Sequence, residues 1–217
     1  MNRKHLRRIA AAALGIPFLC LLVAAAPYLV RTALHDNLYE VVPQRLYRAG
    51  EMSGENLGQV IDKHGIKSVI DLRLKGGPKQ DGESIEAAVV AANGAAYRHL
   101  PMSSSRLTQR QRVLRLLDAF DEMTQPILVH CTRGADRSGV ASAIWLLNKE
   151  NVRADEAEEQ LDLKFGFNRL ERFVRSDLMG EPTLDRLIIE YRKASAQSPI
   201  SFRQWARESP LLEEPVK

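Results

Sequence analysis

The sequence predicts an α/β domain with a mainly parallel central sheet flanked by helices, preceded by an N-terminal membrane helix. Three observations carry that reading. Short β-branched runs of strand length alternate with helical patterns through the first part of the body. Glycines stand where those helices should stop. From Ser138 onward the pattern is almost wholly helical, as expected when helices wrap a parallel sheet. At 217 residues, 45% apolar and 27% charged, the chain has enough material for a real core and is not disordered. Two cysteines, Cys20 and Cys131, exclude both a disulfide-stapled scaffold and a cysteine-rich zinc site.

Residues 1–31 read as a signal anchor or signal peptide. Arg3, Lys4, Arg7 and Arg8 precede an uncharged, mostly apolar run from Ile9 to Val30, which Arg31 closes. Its 22 residues at about 1.5 Å each span roughly 33 Å, enough for a hydrocarbon core of roughly 30 Å. Ala24 and Ala26 offer a small-x-small cleavage site, but Pro27 would follow the cut. The uncleaved anchor is therefore the favoured expectation, and secretion to the periplasm after cleavage is the other. The positive-inside rule leaves the N-terminus in the cytoplasm, so the body lies on the periplasmic or outer side of the inner (plasma) membrane. The formal net charge of +4 arises here. Without these five basic residues, 26 basic residues face 27 acidic ones, which excludes a general nucleic-acid binder.

The elements then follow in order. Residues 32–43 read as a connector, 44–197 as the catalytic domain and 198–217 as a C-terminal tail. Arg45–Arg48 opens a strand. Ser53 caps a helix that runs to His64 and stops at Gly65. Ile66–Leu72 is a β-branched strand covered on both faces. Arg73–Gly82 is a loop marked by Gly76, Gly77 and Pro78. Glu83–Asn93 fits a helix, Ala95–Leu100 a strand and Pro101–Leu107 a serine-rich loop. Thr108 with Gln111 reads as a capping box for a helix through Met123. Ile127–His130 is a short apolar strand, and Ser138–Asn151, Ala154–Phe165 and Leu184–Ser195 are helical.

Chemistry concentrates in Ile127-Leu-Val-His-Cys131-Thr-Arg-Gly-Ala-Asp-Arg137-Ser-Gly139, a strand, a seven-residue loop and a helix. A loop wrapped over a helix N-terminus aims successive backbone N–H groups at one spot and adds the positive end of the helix dipole. That field favours a thiolate, making Cys131 a nucleophile. Arg137 carries a planar fork matched to two phosphoryl oxygens. The structural reading, a buried cysteine near an unrelated surface arginine, leaves the order of these residues unexplained.

The HC-x5-R-S-G segment resembles the cysteine-dependent phosphatases, in particular the compact dual-specificity, tyrosine-phosphatase-like group of bacterial type. Val42-Pro-x-x-Leu-Tyr47-Arg-Ala-Gly50 resembles that family's opening strand, Gly65-Ile-Lys-x-Val-Ile-Asp71-Leu-Arg73 its next strand, and His99-Leu-Pro101-Met the strand before its acid loop. The resemblance covers about Val41 to Phe167. It implies a cysteine-phosphatase-like fold and a phosphocysteine intermediate on Cys131. It also implies phosphate binding by Arg137, loop amides from Thr132, Arg133, Gly134, Ala135 and Asp136, and a Ser138 hydroxyl that assists departure of the thiolate. His130 would position Cys131 or serve as a structural histidine. A rhodanese-like sulfur carrier also places a cysteine loop before a helix, but without this context.

The departure from the family pattern is as informative. The family's acid-bearing loop reads Pro101-Met-Ser-Ser-Ser105-Arg here and holds no carboxylate. Asp136 offers a replacement general acid inside the phosphate loop, as in phosphoinositide phosphatases of the myotubularin kind; its other reading is pairing with an arginine. Arg133 either contacts a second phosphate or is solvated. Lys75, Lys79 and Arg106 are outlying candidates for the same pocket. Arg169, Arg172 and Arg175 read as a solvated face, and Asp71 with Arg73 as structural pairing. The expected substrates are phosphotyrosine, phosphoserine or phosphothreonine proteins, or inositol phosphates and phosphoinositides. No cofactor or metal is implied, because no metal-ligand spacing occurs. A catalytically weak phosphate-recognition module is the competing reading.

Overall fold

The computed structural model describes residues 36–74, 79–80, 83–104 and 106–212, together with positions 23 and 26. The anchor expected over residues 1–31 thus lies, apart from those two helical positions, outside the described residues. Among the described residues no helix is long and apolar enough to cross a membrane.

Five strands form the main sheet in the order β1 (Tyr39–Val42), β2 (Leu46–Ala49), β7 (Ile127–His130), β3 (Ser68–Asp71) and β6 (Ala96–His99). Only β1 is antiparallel; β2, β7, β3 and β6 run parallel. A separate two-residue pair joins β4 (Lys79–Gln80), inside the expected loop, to β5 (Glu83–Ser84), which takes the first two residues of the helix expected over Glu83–Asn93. The central strands β2, β3 and β7 are buried along their whole length, which explains their apolar content and encloses Arg48, Ser68, Asp71 and His130 with it.

Helices cover both faces. On one side α1 (Gly54–His64) and α2 (Ile85–Ala92) bury Leu57, Ile61 and Val90 against Tyr47, Val69 and Leu128. On the other, α3 (Arg110–Glu122), α4 (Asp136–Lys149), α7 (Arg186–Gln197) and α8 (Phe202–Glu208) enclose the larger core around Phe120, Ile144 and Trp145. Short helices α5 (Ala154–Glu158) and α6 (Arg169–Phe173) complete the set, with α6 continuing into a π-helical turn over Val174–Leu178.

The caps show why the helix boundaries were legible. Ser53 Oγ accepts from the Asn56 N–H, and Gly65 terminates α1 at φ 61°. The capping box at Thr108 does not form. Gln109 is the N-cap of α3 and makes no side-chain cap bond, whereas the Thr108 hydroxyl is buried without a partner. The Leu107 N–H donates to Pro182 O, drawing that segment against the C-terminal half of the domain before α3 begins.

The folded body also extends past the boundaries expected from sequence. The connector contains β1, paired with β2. The segment expected as a tail contains α8, whose Phe202, Trp205 and Ala206 are buried. Tyr191 packs edge-on to both aromatic rings.

The registers align Ala49 with His130, His130 with Asp71, and Asp71 with His99. This row crosses the carboxyl edge of the parallel strands, the edge at which open α/β sheets hold their ligands.

Candidate active site

Cys131 begins where β7 ends. Its N–H donates to Ala49 O, it is 2% exposed, and its Sγ lies 3.6 Å from Ser138 Oγ. The chain then turns through Thr132–Ala135 into α4, whose first amides have no acceptor within their own helix. Cys131, Thr132, Arg133, Gly134, Ala135, Asp136, Arg137 and Ser138 are thus brought together as one loop and helix start.

The loop's shape depends on residues outside it. Gly134 has φ 69°, and a Cβ there would stand 2.6 Å from Gly50 N and 2.8 Å from Ala49 C. Only glycine fits, for conformation and for space. Arg48 is fully buried, and its Nη2 donates to both Gly134 O and Ala135 O at 2.9 Å. Its Nη1 holds Gln160 O, and the guanidinium carbon lies 4.2 Å from the centre of the Phe165 ring. Burial lowers the Arg48 pKa to about 10, against the opposing charges of Cys131, Tyr39 and Asp136. Because peptides are planar and trans, carbonyls drawn toward Arg48 send the following N–H groups of Ala135 and Asp136 the other way, into the loop's concave face. Asn37 adds a second external tie, donating to Arg133 O and to Phe165 O.

Arg137 folds across the loop. Nη2 donates to Thr132 Oγ1 at 3.0 Å and Nη1 to Leu72 O at 3.3 Å, while the buried Nε has no partner. A buried guanidinium with an uncommitted N–H beside inward amides is a site for an oxyanion.

Asp136 sits beside this site and is held by two cations. Oδ2 accepts from Arg133 Nη2 at 3.0 Å and Oδ1 pairs with Arg172 Nη2 at 2.7 Å. Arg172 is 4% exposed, so its reading as part of a solvated face is corrected: its guanidinium turns inward to the loop. Arg133 remains largely exposed. Arg106 is exposed; Lys75 and the side chain of Lys79 lie outside the described residues.

A second network braces the opposite flank. Arg73 holds Asp71 through Nε and Nη2, at 2.9 and 2.8 Å, and also contacts Glu51 and Glu86. His130 Nε2 lies 2.6 Å from Glu86 Oε1, and Tyr97 Oη donates to Asp71. Burial alone would raise the Asp71 pKa, but the Arg73 hydrogen bonds and the nearby His130 outweigh it, leaving Asp71 below the usual carboxylate range. The structural pairing of Asp71 with Arg73 is therefore present. Asp71, Glu86 and His130 also bring ligand-type atoms within 4.8 Å of one another, a grouping that spacing along the sequence could not reveal. Arg73 already places its guanidinium on both carboxylates.

Sequence reasoning left Arg48, Asn37, Glu86 and Arg172 without a role at the site. Arg48 carried the one available signal, a charge inside an otherwise apolar strand.

The model of the tyrosine phosphatase family matches residues 32–157. Among solved structures, Pseudomonas (P. aeruginosa) TpbA, as a cysteine-to-serine variant in complex with pTyr, matches at 22% identity and TM-score 0.50, over 75% of this chain and 92% of that one. The core catalytic domain of the PP-IP phosphatase SIW14 from S. cerevisiae, in complex with citrate, matches at 20% identity and TM-score 0.51, over 76% and 96%. Tk-PTP in its active form matches at 15% identity and TM-score 0.51, over 74% and 99%. At such identities the likeness speaks for the fold alone. No curated protein matches the chain by sequence.

Proposed function

We propose, from the premise that this chain belongs to the tyrosine phosphatase family, that it hydrolyses phosphomonoesters through a phosphocysteine intermediate on Cys131. The observation that carries the reading is the buried Arg137 Nε without a partner, beside loop amides directed inward by Arg48. A phosphoryl group seated there has its equatorial oxygens on Arg137 and on the amides of residues 132–136, and its phosphorus over the Cys131 sulfur. The sulfur attacks phosphorus, an S–P bond forms, and the P–O bond to the leaving group breaks. Water then attacks phosphorus, the S–P bond breaks, inorganic phosphate leaves, and Ser138 Oγ stabilises the returning thiolate.

The leaving oxygen needs a proton, and Asp136 is the carboxyl inside the loop. In this reading Arg133, which is exposed, turns from Asp136 to the incoming substrate and frees one carboxyl oxygen for proton transfer. The Arg172 pair favours a second reading, in which Asp136 serves only as a brace between the loop and α6. Asp136→Asn separates them. An acid predicts a deficit that grows as the leaving group becomes more basic; a brace predicts the same loss for every ester.

Phosphotyrosine and other phosphoprotein substrates of a dual-specificity enzyme stand beside phosphoinositides and inositol phosphates as substrate classes. An Arg133 released from Asp136 supports esters that carry a second phosphate. The body spans residues 44–197 at least, attached to the apolar run 9–30 as an anchor in the inner membrane, with the active site on the periplasmic or outer side. The deciding experiment is hydrolysis of a small aryl phosphate by the full chain under reducing conditions, beside Cys131→Ser. Turnover lost by at least about 10³-fold in the variant supports the mechanism. Binding of phosphate analogues by a folded wild-type protein without turnover moves the reading to a phosphate-recognition module.

A further inference from the structure

The helical segment 169–178 is amphipathic in the wrong direction for a protein surrounded by water. Its inner stripe is polar. Arg172 is buried on Asp136, and Ser176, one turn on, lines with Arg172, Asp185 and the edge of Phe173 a cavity of about 180 Å³ closed from the core side by Leu161, Phe167 and Ile189. The outer stripe is apolar: Leu170 is 72% exposed, Leu178 69% and Met179 65%, with Phe173 and Val174 also exposed. Nine large apolar side chains are exposed among the described residues, and six of them fall between positions 163 and 179. Such a contiguous patch marks a surface that meets something other than bulk water. Lys164 and Arg169 are exposed in the same stretch, as are Glu171 and Asp177.

Two further observations identify what meets it. The continuously described chain begins at Asp36, on the same side of the domain. Asn37 bonds Phe165 O and Arg133 O, Tyr39 Oη donates to Lys164 O, and the Tyr39 ring packs edge-on to Phe165. Only residues 31–35 separate Asp36 from the apolar run ending at Val30, a span of at most roughly 20 Å. A bilayer holding that run lies within reach of the apolar stripe and of the phosphate loop together.

We propose that the outer face of residues 170–179 docks into the headgroup region of the membrane that holds the N-terminal run, which keeps the phosphate loop, tied to the inner face of the same segment through Arg172 and Asp136, close to that surface. The enzyme is thereby committed to phosphoesters displayed at that surface. This rests on the anchored-phosphatase reading above and specifies its orientation. Apolar side chains enter the interface, and Lys164 and Arg169 meet anionic headgroups.

The test reads position, not turnover, so it stands apart from any failure of the phosphatase assay. The full chain is reconstituted into phosphatidylcholine–phosphatidylglycerol vesicles containing doxyl-labelled lipid, as Leu178→Trp and, separately, as Thr124→Trp. Position 124 is exposed and precedes β7, at the sheet edge opposite the phosphate loop. The native Trp145 and Trp205 are buried and supply a constant background. The expected result is a blue-shifted added emission at position 178 quenched by at least half, with position 124 unquenched. No quenching at either position, or equal quenching at both, overturns the proposal. A blue shift at 178 that ignores doxyl lipid and fades on dilution overturns it in favour of a second copy of the chain on that face.

Discussion

The two flanks of the phosphate loop are built on opposite terms. On one flank, Arg48, Asp71, Arg73 and His130 rise from the ends of neighbouring parallel strands, and their charges are enclosed by the sheet and its helices. On the other, Arg172 comes from a short helix whose far side carries exposed apolar groups. The first flank is stabilised by the fold's own core. The second holds the loop with a polar hand while its back answers to the surroundings. The phosphate loop is thus fixed in shape on one side and open to outside influence on the other.

Substitutions that break this contrast should differ in size. Gly134→Ala has the largest expected effect on turnover, because a Cβ would overlap the backbone of Ala49 and Gly50 at a positive φ and distort the loop itself. Loss of at least about 10²-fold in aryl phosphate hydrolysis is expected, with destabilisation of roughly 1–3 kcal/mol or more in denaturant titration. Arg48→Leu has the largest expected effect on stability. It strands the carbonyls of Gly134, Ala135 and Gln160 and should cost roughly 3–5 kcal/mol, read by the same titration. Arg172→Leu should cost less, roughly 1–3 kcal/mol, because Asp136 keeps Arg133. A loss equal to that of Arg48→Leu would abolish the distinction between the flanks.

Acid sharpens the same contrast. Asp71 has its pKa lowered in the folded state, so its stabilisation is present above the unfolded value of about 3.9 and is lost as pH falls through the folded value. Thermal melts should therefore hold steady from neutral pH down to about 5 and weaken below about 4, and Asp71→Asn should flatten that acid limb. The smallest effect belongs to Leu178→Ser, which should leave stability in detergent-free buffer within about 0.5 kcal/mol because the side chain is already exposed.

The contrast also explains what was legible in the sequence. Strands β3 and β7 showed themselves as apolar runs, and α1 through Ser53 and Gly65, because burial and capping act on neighbours in the chain. The phosphate loop was legible for the same reason, since its eight residues are consecutive. The braces were not. Arg48 meets Gly134 across 86 positions and Asn37 meets Phe165 across 128, and no local pattern encodes a partner that distant. Arg172 was misread because spacing on a short helix cannot say which stripe faces inward when the outward one is apolar. Helix α8 escaped notice because Phe202 and Trp205 are only two anchors within a seven-residue element.

The ties at Asp36 and Asn37 have a mechanical consequence. Asp36 O accepts from the Gly50 N–H, and the Asn37 side chain holds the back of the phosphate loop at Arg133 O. A load pulled through the chain at residue 36 meets these bonds before it reaches β1. Tension applied there is delivered to the phosphate loop and not spread over the sheet, so the first part of the molecule to feel a tug is the segment around Cys131.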